Sequence, residues 1–360
     1  PTTRAGYLKA VRAETDDAER PVLKGELLGG RDHLILSGIW SARMPLKQEN
    51  EECQNLLCRV VEPLHAAAWA WNGRQWPGGL LDVVWRDLLR NHPHDSIGGC
   101  STDAVAADME TRFAAVRQTG EQMTARLLNS WTPAFAREAE GDHNAVICVA
   151  NPLPQRRSEV VERLVIVPPG GVDPESLRLL NAAGQAVPCE IIKQRYIERF
   201  WGIDYRAELY AADQFDMLDT YLHRFGDRII GTEADRHRHD TFLHLRFLAE
   251  DLPAVGHAAF RLSNIPGAAA NMPPPVTVTR GDGQAHLANE HLQVILHGDG
   301  TIDLTDRATG HQYLGLNLLE DAEDIGDEYD YCPCDPNQMI FAGGCDGKIR
   351  LADSSDLRGV

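Results

Sequence analysis

One ten-residue segment, Asn91-His92-Pro93-His94-Asp95-Ser96-Ile97-Gly98-Gly99-Cys100, carries the densest set of side chains that could do chemistry. Two imidazoles and a carboxylate within four residues are the donor types that zinc prefers in proteins. Gly98 and Gly99 let the backbone turn tightly before the next predicted helix. A hydrophilic turn between two helices has a similar composition, so from the residues alone a metal loop and an ordinary turn both stay open.

Other polar clusters predict turns rather than sites. His237-Arg238-His239-Asp240 comes directly before a predicted strand, which indicates a solvated turn. His297-Gly298-Asp299 is followed by Gly300, a pattern typical of a hairpin turn. The acidic run at 320–328 could bind a cation, but its spacing does not fit an EF-hand loop and favours a solvated loop. Tyr329 and Tyr331 close that run, and aromatic rings with hydroxyl groups are suited to contacting a sugar.

Three amphipathic helices must position the segment at 91–100. The first extends from Pro45 to about Trp71, with apolar residues at spacings of three, four and seven, and Pro63 should kink it. The second covers about 80–90 and ends before Pro93. The third begins at Ser101-Thr102-Asp103, whose side chains can cap free N–H groups, and continues to about residue 131. Short connections between such helices predict a small antiparallel bundle.

The pattern changes to strands from about residue 144. Alternating or β-branched runs occur at 145–149, 160–167, 241–247, 292–296 and 301–304, separated by Gly, Pro and Asp-Gly turns. No helical stripe interrupts this region, so an antiparallel β-sandwich is expected. Before the bundle, the short helix and apolar segment of residues 1–31 suggest the tail of a larger unit.

Composition restricts the function classes. The formal net charge of -18 argues against a nucleic-acid partner, since affinity for phosphate backbones needs clustered Lys and Arg. No apolar run is long enough to span a membrane, and no membrane partner is expected. The eight cysteines are dispersed, which favours reduced thiols and a cytoplasmic location. Cys332-Pro333-Cys334 is the only close pair, and we expect two unlinked thiols there.

Several of these segments together resemble glycoside hydrolase family 38, the α-mannosidases, in particular its bacterial branch with mannosylglycerate hydrolase. The segment at 91–100 is similar to the family's His-Asp-(Ser/Ala/Gly)-Ile-x-Gly loop. The remaining landmarks follow in the family's order along nearly the whole chain. They are Gly25-Glu26-Leu27, Ser37-Gly38-Ile39-Trp40-Ser41-Ala42-Arg43-Met44-Pro45-Leu46-Lys47-Gln48, Asn151-Pro152-Leu153-Pro154 and Gly326-Asp327-Glu328-Tyr329-Asp330-Tyr331-Cys332-Pro333.

The resemblance implies a role for three residues. His94 corresponds to a zinc ligand, Asp95 to a carboxylate that hydrogen-bonds mannose hydroxyls, and Tyr329, less directly, to a tyrosine that touches the sugar. His92 has no transferable role and is expected to shape the loop. The motifs that carry the family's other zinc ligands, its nucleophile and its acid/base carboxylate have no match in this chain.

The resemblance also implies an architecture and a function. Residues 1–31 would be the tail of a catalytic α/β barrel, 32–140 a three-helix bundle and 141–360 a β-sandwich domain. The whole protein would be a zinc-dependent retaining α-mannosidase acting on an α-mannoside, and this part alone would be inactive and bind zinc weakly or not at all. The alternative is a stand-alone carbohydrate-binding or scaffold module, in which His94 and Asp95 are only loop residues. A helical adaptor is disfavoured because strands occupy more than half of the chain.

Overall fold

The protein is described by a computed structural model that covers most of the chain. The described residues are 3–15, 36–138, 145–169, 171, 173–197, 230–232, 234, 237–264, 270, 276–281, 283–326, 329–336, 338–343 and 347–350. The first helix, α1, spans Arg4–Glu14 and buries none of its residues. Most of the predicted barrel tail, including Gly25-Glu26-Leu27, lies outside the described residues, as do Asp327 and Glu328.

The bundle is built from helices connected by short turns, as the apolar stripes predict. A 3₁₀ turn at Ser37–Trp40 leads into the first of them. The helices are α2 (Met44–Asn55), α3 (Glu62–Asn72), α4 (Gly78–Leu89), the one-turn α5 (His94–Ile97) and the long α6 (Asp103–Glu138). Apolar residues of α2, α4 and α6 form a common core, with Leu57, Val61, Leu88, Met109 and Phe113 fully or almost fully buried.

The predicted long helix around Pro63 contains a π-helical segment directly before the proline. Residues Leu56–Val61 form a π-helix that joins α2 to α3 without a break in the helical backbone. Pro63 then occupies one of the first two positions of α3, so its missing N–H falls at the junction between the π-helix and α3. A π segment inserts extra backbone into a helix, so the chain accommodates the proline by widening the preceding turns.

Two four-stranded antiparallel sheets make up the predicted β-sandwich. The first sheet has the order β1-β8-β3-β4 and the second β2-β7-β5-β6. Their strands are β1 (Ala145–Asn151), β2 (Arg157–Val167), β3 (Arg178–Leu180), β4 (Ala186–Val187), β5 (Cys189–Ile197), β6 (Ile230–Gly231), β7 (Asp240–Leu252) and β8 (Gly256–Ser263). Apolar side chains from both sheets meet in one core that includes Val167, Leu179, Leu243, Phe247 and Leu262. The predicted combination of a helical bundle and antiparallel sheets is confirmed.

A third sheet follows the sandwich. Its five antiparallel strands have the order β13-β12-β11-β10-β9, and a two-stranded hairpin pairs β14 with β15. The strands are β9 (Thr277–Gly281), β10 (Gln284–Ala288), β11 (Leu292–Leu296), β12 (Ile302–Asp306), β13 (Gln312–Leu316), β14 (Glu320–Ala322) and β15 (Met339–Phe341). The edge strands β9 and β13 are exposed along their whole length.

The bundle and the sandwich pack against each other through a small apolar cluster. Leu64 and Ala68 of α3 and Leu127 and Trp131 of α6 are buried there against Cys148 and Ala150 of β1. Among the described residues, no helix is long and apolar enough to cross a membrane. All seven cysteines that the structure describes carry free thiols, including Cys332 and Cys334, as their dispersed positions predict.

Candidate functional site

The segment at 91–100 folds into a compact connection between α4 and α6. Pro93 is extended, and its carbonyl oxygen accepts hydrogen bonds from the N–H groups of Ser96 and Ile97. The Gly98 N–H donates to the carbonyl of His94 at 2.8 Å, which closes the single turn of α5. The first two side chains of this turn are those of His94 and Asp95, so the backbone conformation fixes the positions of their Cβ atoms.

His94 and Asp95 both extend into solvent. The His94 side chain is 95% exposed and that of Asp95 is 67% exposed. The imidazole Nε2 lies 3.1 Å from Oδ1 of Asp95, so the two groups lie side by side on one surface. An imidazole and a carboxylate that are adjacent and open to solvent can bind a cation or the hydroxyl groups of a sugar. The hydrophobic core of the bundle makes no use of either.

His92 has a different role from His94, although it is only two residues away. Its Nε2 donates to Oδ1 of Asn50 on α2 at 2.7 Å, and the ring is half-buried. Burial lowers the pKa of His92, because removing the ring from water disfavours its charged form. The side chain therefore ties the loop to α2, in agreement with the predicted structural role.

Two basic residues at the start of α2 hold the loop by its carbonyl groups. Lys47 Nζ donates to the carbonyl oxygens of Ala42 and Ile97 at 2.5 and 2.7 Å. Arg43 donates to the carbonyls of Gly99 and Ser101, at 3.1 and 3.2 Å. Burial lowers the pKa of Lys47, while the nearby Cys100 acts in the opposite direction. These contacts satisfy loop carbonyls that no secondary structure pairs.

Asn91 anchors the other end of the loop. It is fully buried, its Nδ2 donates to the carbonyl of Met109 at 3.1 Å, and its Oδ1 accepts from Arg112 at 2.8 Å. Sequence reasoning assigned no function to Asn91, Arg43 or Lys47, although all three lie inside the quoted motifs. The sequence signal for Asn91 is its position as a polar residue directly after the apolar stripe of the second predicted helix.

Gly99 allows the loop to approach the segment before α2 closely. Its φ of +89° lies in the left-handed region, which residues with a side chain rarely adopt. A Cβ at this position would lie 2.9 Å from the carbonyl oxygen of Ala42 and 3.2 Å from its Cβ. The loop therefore needs glycine here for two independent reasons, as its Gly-Gly sequence indicates.

The same segment connects the loop to Tyr329. The N–H of Gly38 donates to the carbonyl of Tyr329 at 2.9 Å, and the N–H of Leu36 donates to Oδ1 of Asp330 at 3.2 Å. On its other side, the segment places the side chain of Ile39 close to Gly98. Tyr329 is itself 45% exposed. Residues 36–43 thus bring the region after β14 towards the helical loop that carries His94 and Asp95.

The donor set at this site is small. Among the described residues, no group of three or more His, Cys, Asp or Glu lies together in a way that could hold a metal ion. One imidazole is suited to be a single zinc ligand, whereas structural and catalytic zinc sites use three or four protein ligands. The described residues therefore fit zinc only as one contributor to a site that other ligands would complete.

Of the remaining sequence candidates, the segments that contain His237 and His297 form the predicted turns, whereas the acidic run at 320–328 begins as strand β14 instead of a loop. His297 begins a tight turn in which the N–H of Gly300 donates to the His297 carbonyl, and Gly300 has a φ of +88°. His297 Nε2 lies 3.0 Å from Oδ2 of Asp303, so the ring stabilises its own hairpin. His237 is exposed in the turn before β7.

Comparisons with known proteins agree with this fold. Residues 35–130 match the family model described as the alpha mannosidase middle domain. A protein of Halalkalibacterium halodurans, provisionally named a mannosylglycerate hydrolase, is 26% identical over 323 residues, which cover 88% of this chain and 34% of that protein. Alpha-mannosidase 2C1 of Mus musculus is 30% identical over 126 residues, which cover 35% of this chain and 12% of its own length.

Two solved structures from Enterococcus faecalis share the fold. One is a protein in glycosyl hydrolase family 38, with a TM-score of 0.67 and 23% identity, covering 99% of this chain and 38% of its own. The other is an alpha-mannosidase, with a TM-score of 0.65 and 22% identity. This match covers 98% of our chain and 38% of the alpha-mannosidase chain. The chain thus spans little more than a third of these relatives. Together the matches confirm the predicted resemblance to glycoside hydrolase family 38.

Proposed function

We propose that this chain, with its resemblance to glycoside hydrolase family 38, is part of a zinc-dependent retaining α-mannosidase. In this proposal His94 is one zinc ligand, and Asp95 and Tyr329 contact the sugar. The observation that carries the proposal is the outward orientation of His94 and Asp95 on a loop held by buried hydrogen bonds. Groups that serve only the fold do not need a rigid, solvent-facing arrangement of this kind.

Each residue has a defined task in this proposal. His94 offers a ring nitrogen lone pair to the metal, and Asp95 accepts hydrogen bonds from sugar hydroxyl groups. Tyr329 presents a phenol and an aromatic face at the edge of the same surface. Zinc, when bound, supplies a Lewis acid that holds sugar hydroxyls in place. Our candidate substrate is an α-mannoside such as mannosylglycerate, because that is the substrate in the name of the relative from H. halodurans.

A retaining mechanism requires two carboxylates about 5 Å apart, one as nucleophile and one as acid/base. We assign neither role to Asp95, and we place both carboxylates, with the other zinc ligands, outside this chain. The chain alone is then expected to bind zinc weakly and to hydrolyse no α-mannoside. Its free thiols also support the proposal of a reducing, cytoplasmic location.

The test uses the longest gene product that contains this chain. For His94→Ala we expect zinc content after dialysis to fall, and hydrolysis of an aryl α-mannoside to fall more than about hundredfold. This exceeds the 10–100-fold cost of losing a residue that only supports a metal ligand. Asp95→Asn should retain zinc and lose about 10–100-fold in kcat/KM, since it removes charged hydrogen-bond acceptors.

His92→Gln is the matched control, because glutamine can still donate to Asn50 and keep the loop in place. It should retain both zinc and activity. Full activity of the His94→Ala variant would refute the metal assignment. Turnover by the chain alone, or stoichiometric zinc in it after dialysis, would refute the division of the active site. A chain that binds α-mannosides as a complete, non-catalytic protein would instead support the carbohydrate-binding alternative.

A further inference from the structure

A concave site lies in the helical bundle, away from the loop that carries His94. It is a pocket of about 660 Å³ between α3, α4, α6 and the connection that joins α3 to α4. This volume is within the range of pockets that hold small molecules. None of His94, Asp95 and Tyr329 lines it, so the proposed mannosidase function makes no use of it.

Two neighbouring ridges of α6 form one wall of this pocket. Gln118, Gln122 and Arg126 follow each other at four-residue intervals, and so do Thr119, Met123 and Leu127. Side chains four residues apart lie on the same face of a helix. The first ridge is polar and charged, and the second is largely apolar. A ligand lying along α6 would therefore meet hydrogen-bonding groups on one side and an apolar surface on the other.

The pocket has a positive charge in a chain whose net charge is -18. Arg74 and Arg126 line it, and none of its described lining residues is acidic. Within the described part of the chain, no carboxylate forms an ion pair with either guanidinium group. Two arginines without a carboxylate partner make an environment that favours an anion.

A hydrogen bond brings the two arginines to the same end of the pocket. Arg74 donates from its guanidinium to Oγ of Ser130 at 2.5 Å, while that hydroxyl donates to the carbonyl of Leu127. Ser130 lies one helical turn beyond Arg126, and residues at this spacing have Cβ atoms about 5–6 Å apart. Both guanidinium groups can therefore reach one doubly charged group.

His65 provides a polar group on the side of α3. The ring is buried, and its Nδ1 lies 2.9 Å from the carbonyl oxygen of Val61. A carbonyl can only accept, so Nδ1 donates to it and Nε2 is the ring nitrogen that can meet a ligand. This nitrogen can accept a hydrogen bond from a ligand hydroxyl, and the amides of Gln118 and Gln122 can both donate and accept.

We propose that this pocket binds the phosphate monoester of a sugar or a similar polyol. The charge of -1.5 to -2 on a phosphate monoester at neutral pH matches the two guanidinium groups. The glutamine amides, Thr119 and His65 then pair with hydroxyl groups, and Leu80 and Met123 contact the carbon skeleton. An inorganic anion would use only the arginines.

Calorimetric titration of the dialysed chain tests the proposal. The probes are glucose 6-phosphate, ribose 5-phosphate and glycerol 3-phosphate, compared with glucose, inorganic phosphate and gluconate. At least one phosphate ester should bind saturably with one site per chain, and at least about tenfold more tightly than inorganic phosphate, because charged hydrogen bonds and hydroxyl contacts act together. Glucose should not bind, and gluconate should bind more weakly.

Arg126→Gln should weaken binding of that ester about tenfold or more, the effect of one charge-assisted hydrogen bond. Arg59→Gln is the control, because Arg59 is exposed on the π-helix of the same bundle and does not line the pocket. It should leave affinity unchanged, and both variants should melt at the temperature of the original chain. The proposal is overturned if no ester binds, if inorganic phosphate or gluconate binds as tightly, or if both variants weaken binding equally.

Discussion

Individual polar side chains stabilise the hairpins of the third sheet, and Asp303 is the best example. Its Oδ1 accepts from the N–H of Gly315 at 2.8 Å, and its Oδ2 lies 3.0 Å from Nε2 of His297. The amide nitrogen of Gln284 lies 3.1 Å from Nδ1 of His297. An amide nitrogen can only donate, so Nδ1 accepts and the ring donates from Nε2 to Asp303. The hydrogen bond from Gly315, and then that from His297, hold the pKa of Asp303 below its usual value.

This lowered pKa predicts the pH dependence of stability. In the unfolded chain the Asp303 carboxyl has its ordinary, higher pKa. As the pH falls below that pKa, the unfolded chain takes up the proton before the folded protein does. The contribution of Asp303 to stability is therefore lost as the pH falls through the folded-state pKa. Asp303→Asn should therefore be less stable than the original chain at pH 6, and the difference should shrink towards pH 3. Urea unfolding of both proteins at several pH values measures it. A constant difference would contradict the linkage.

At the residue scale, the sequence indicates which side chains are candidates for binding. It does not indicate which side chains anchor the loop that carries them. The density of donors at 91–100 marked His94 and Asp95 as candidates, and both are exposed on one surface. Lys47 was not distinguishable as a loop anchor, because its partners are carbonyl oxygens of Ala42 and Ile97. Backbone acceptors have no residue signature, so contacts to them cannot be recognised from the sequence.

The loop between α4 and α6 should respond to changes that touch neither proposed ligand. Gly99→Ala places a Cβ against the backbone of Ala42 at a left-handed φ, so we expect about 1–3 kcal/mol of strain and a displaced loop. In the α-mannosidase that we propose, zinc content and activity should both fall. Gly79→Ala is the control, because a Cβ there has no neighbour within 4 Å and lies in α4. Equal activity of the two variants would show that the loop tolerates the shift.

The central strand β7 depends on a buried arginine. The Arg246 side chain is 1% exposed and donates to Glu162 of β2 and Glu190 of β5, both at 2.7 Å. Arg246→Ala leaves two carboxylates facing each other across β7. Because both carboxylates still reach water, we expect a loss of about 2 kcal/mol, below the 3–5 kcal/mol of a fully buried pair.

Urea unfolding at neutral pH measures this loss. The triple variant Arg246→Leu, Glu162→Gln and Glu190→Gln removes the charges together, and it should recover part of the stability. A triple variant less stable than Arg246→Ala would show that the ion pairs themselves, rather than two carboxylates left facing each other without the arginine, account for the effect.

At the scale of elements, local patterns predict the long helices of the bundle and five of the fifteen strands in the described part of the chain, whereas pairing is not local. The boundaries of α4 and β11 agree with the predicted segments to within two residues. The π-helix at Leu56–Val61 was not predictable, since its residues continue the same apolar stripe. The pairing of β1 with β8 and of β2 with β7 joins strands about a hundred residues apart. Hydrophobic alternation states which face is buried but not which strand lies beside it.

At the scale of the molecule, one small cluster joins the helical bundle to the β-sandwich. Trp131 of α6 is 6% exposed and packs with α3 and β1. The ring centroid of Trp71 lies 6.0 Å from that of Trp131 and 6.0 Å from that of His257 on β8. The aromatic groups thus form a continuous contact from the bundle to the sandwich. Neither half covers these surfaces by itself, so their stabilities should be coupled.

Trp131→Ala tests that coupling. It should cost about 3–5 kcal/mol, because a large buried ring leaves a cavity. Hydrogen exchange should accelerate in α3 and α6 and also in β1 and β8, since each half loses the other's support. Trp69→Ala is the control on α3, where the indole is mostly exposed, and it should change stability by less than about 0.5 kcal/mol. Faster exchange confined to the helices would show that the bundle and the sandwich are stable independently.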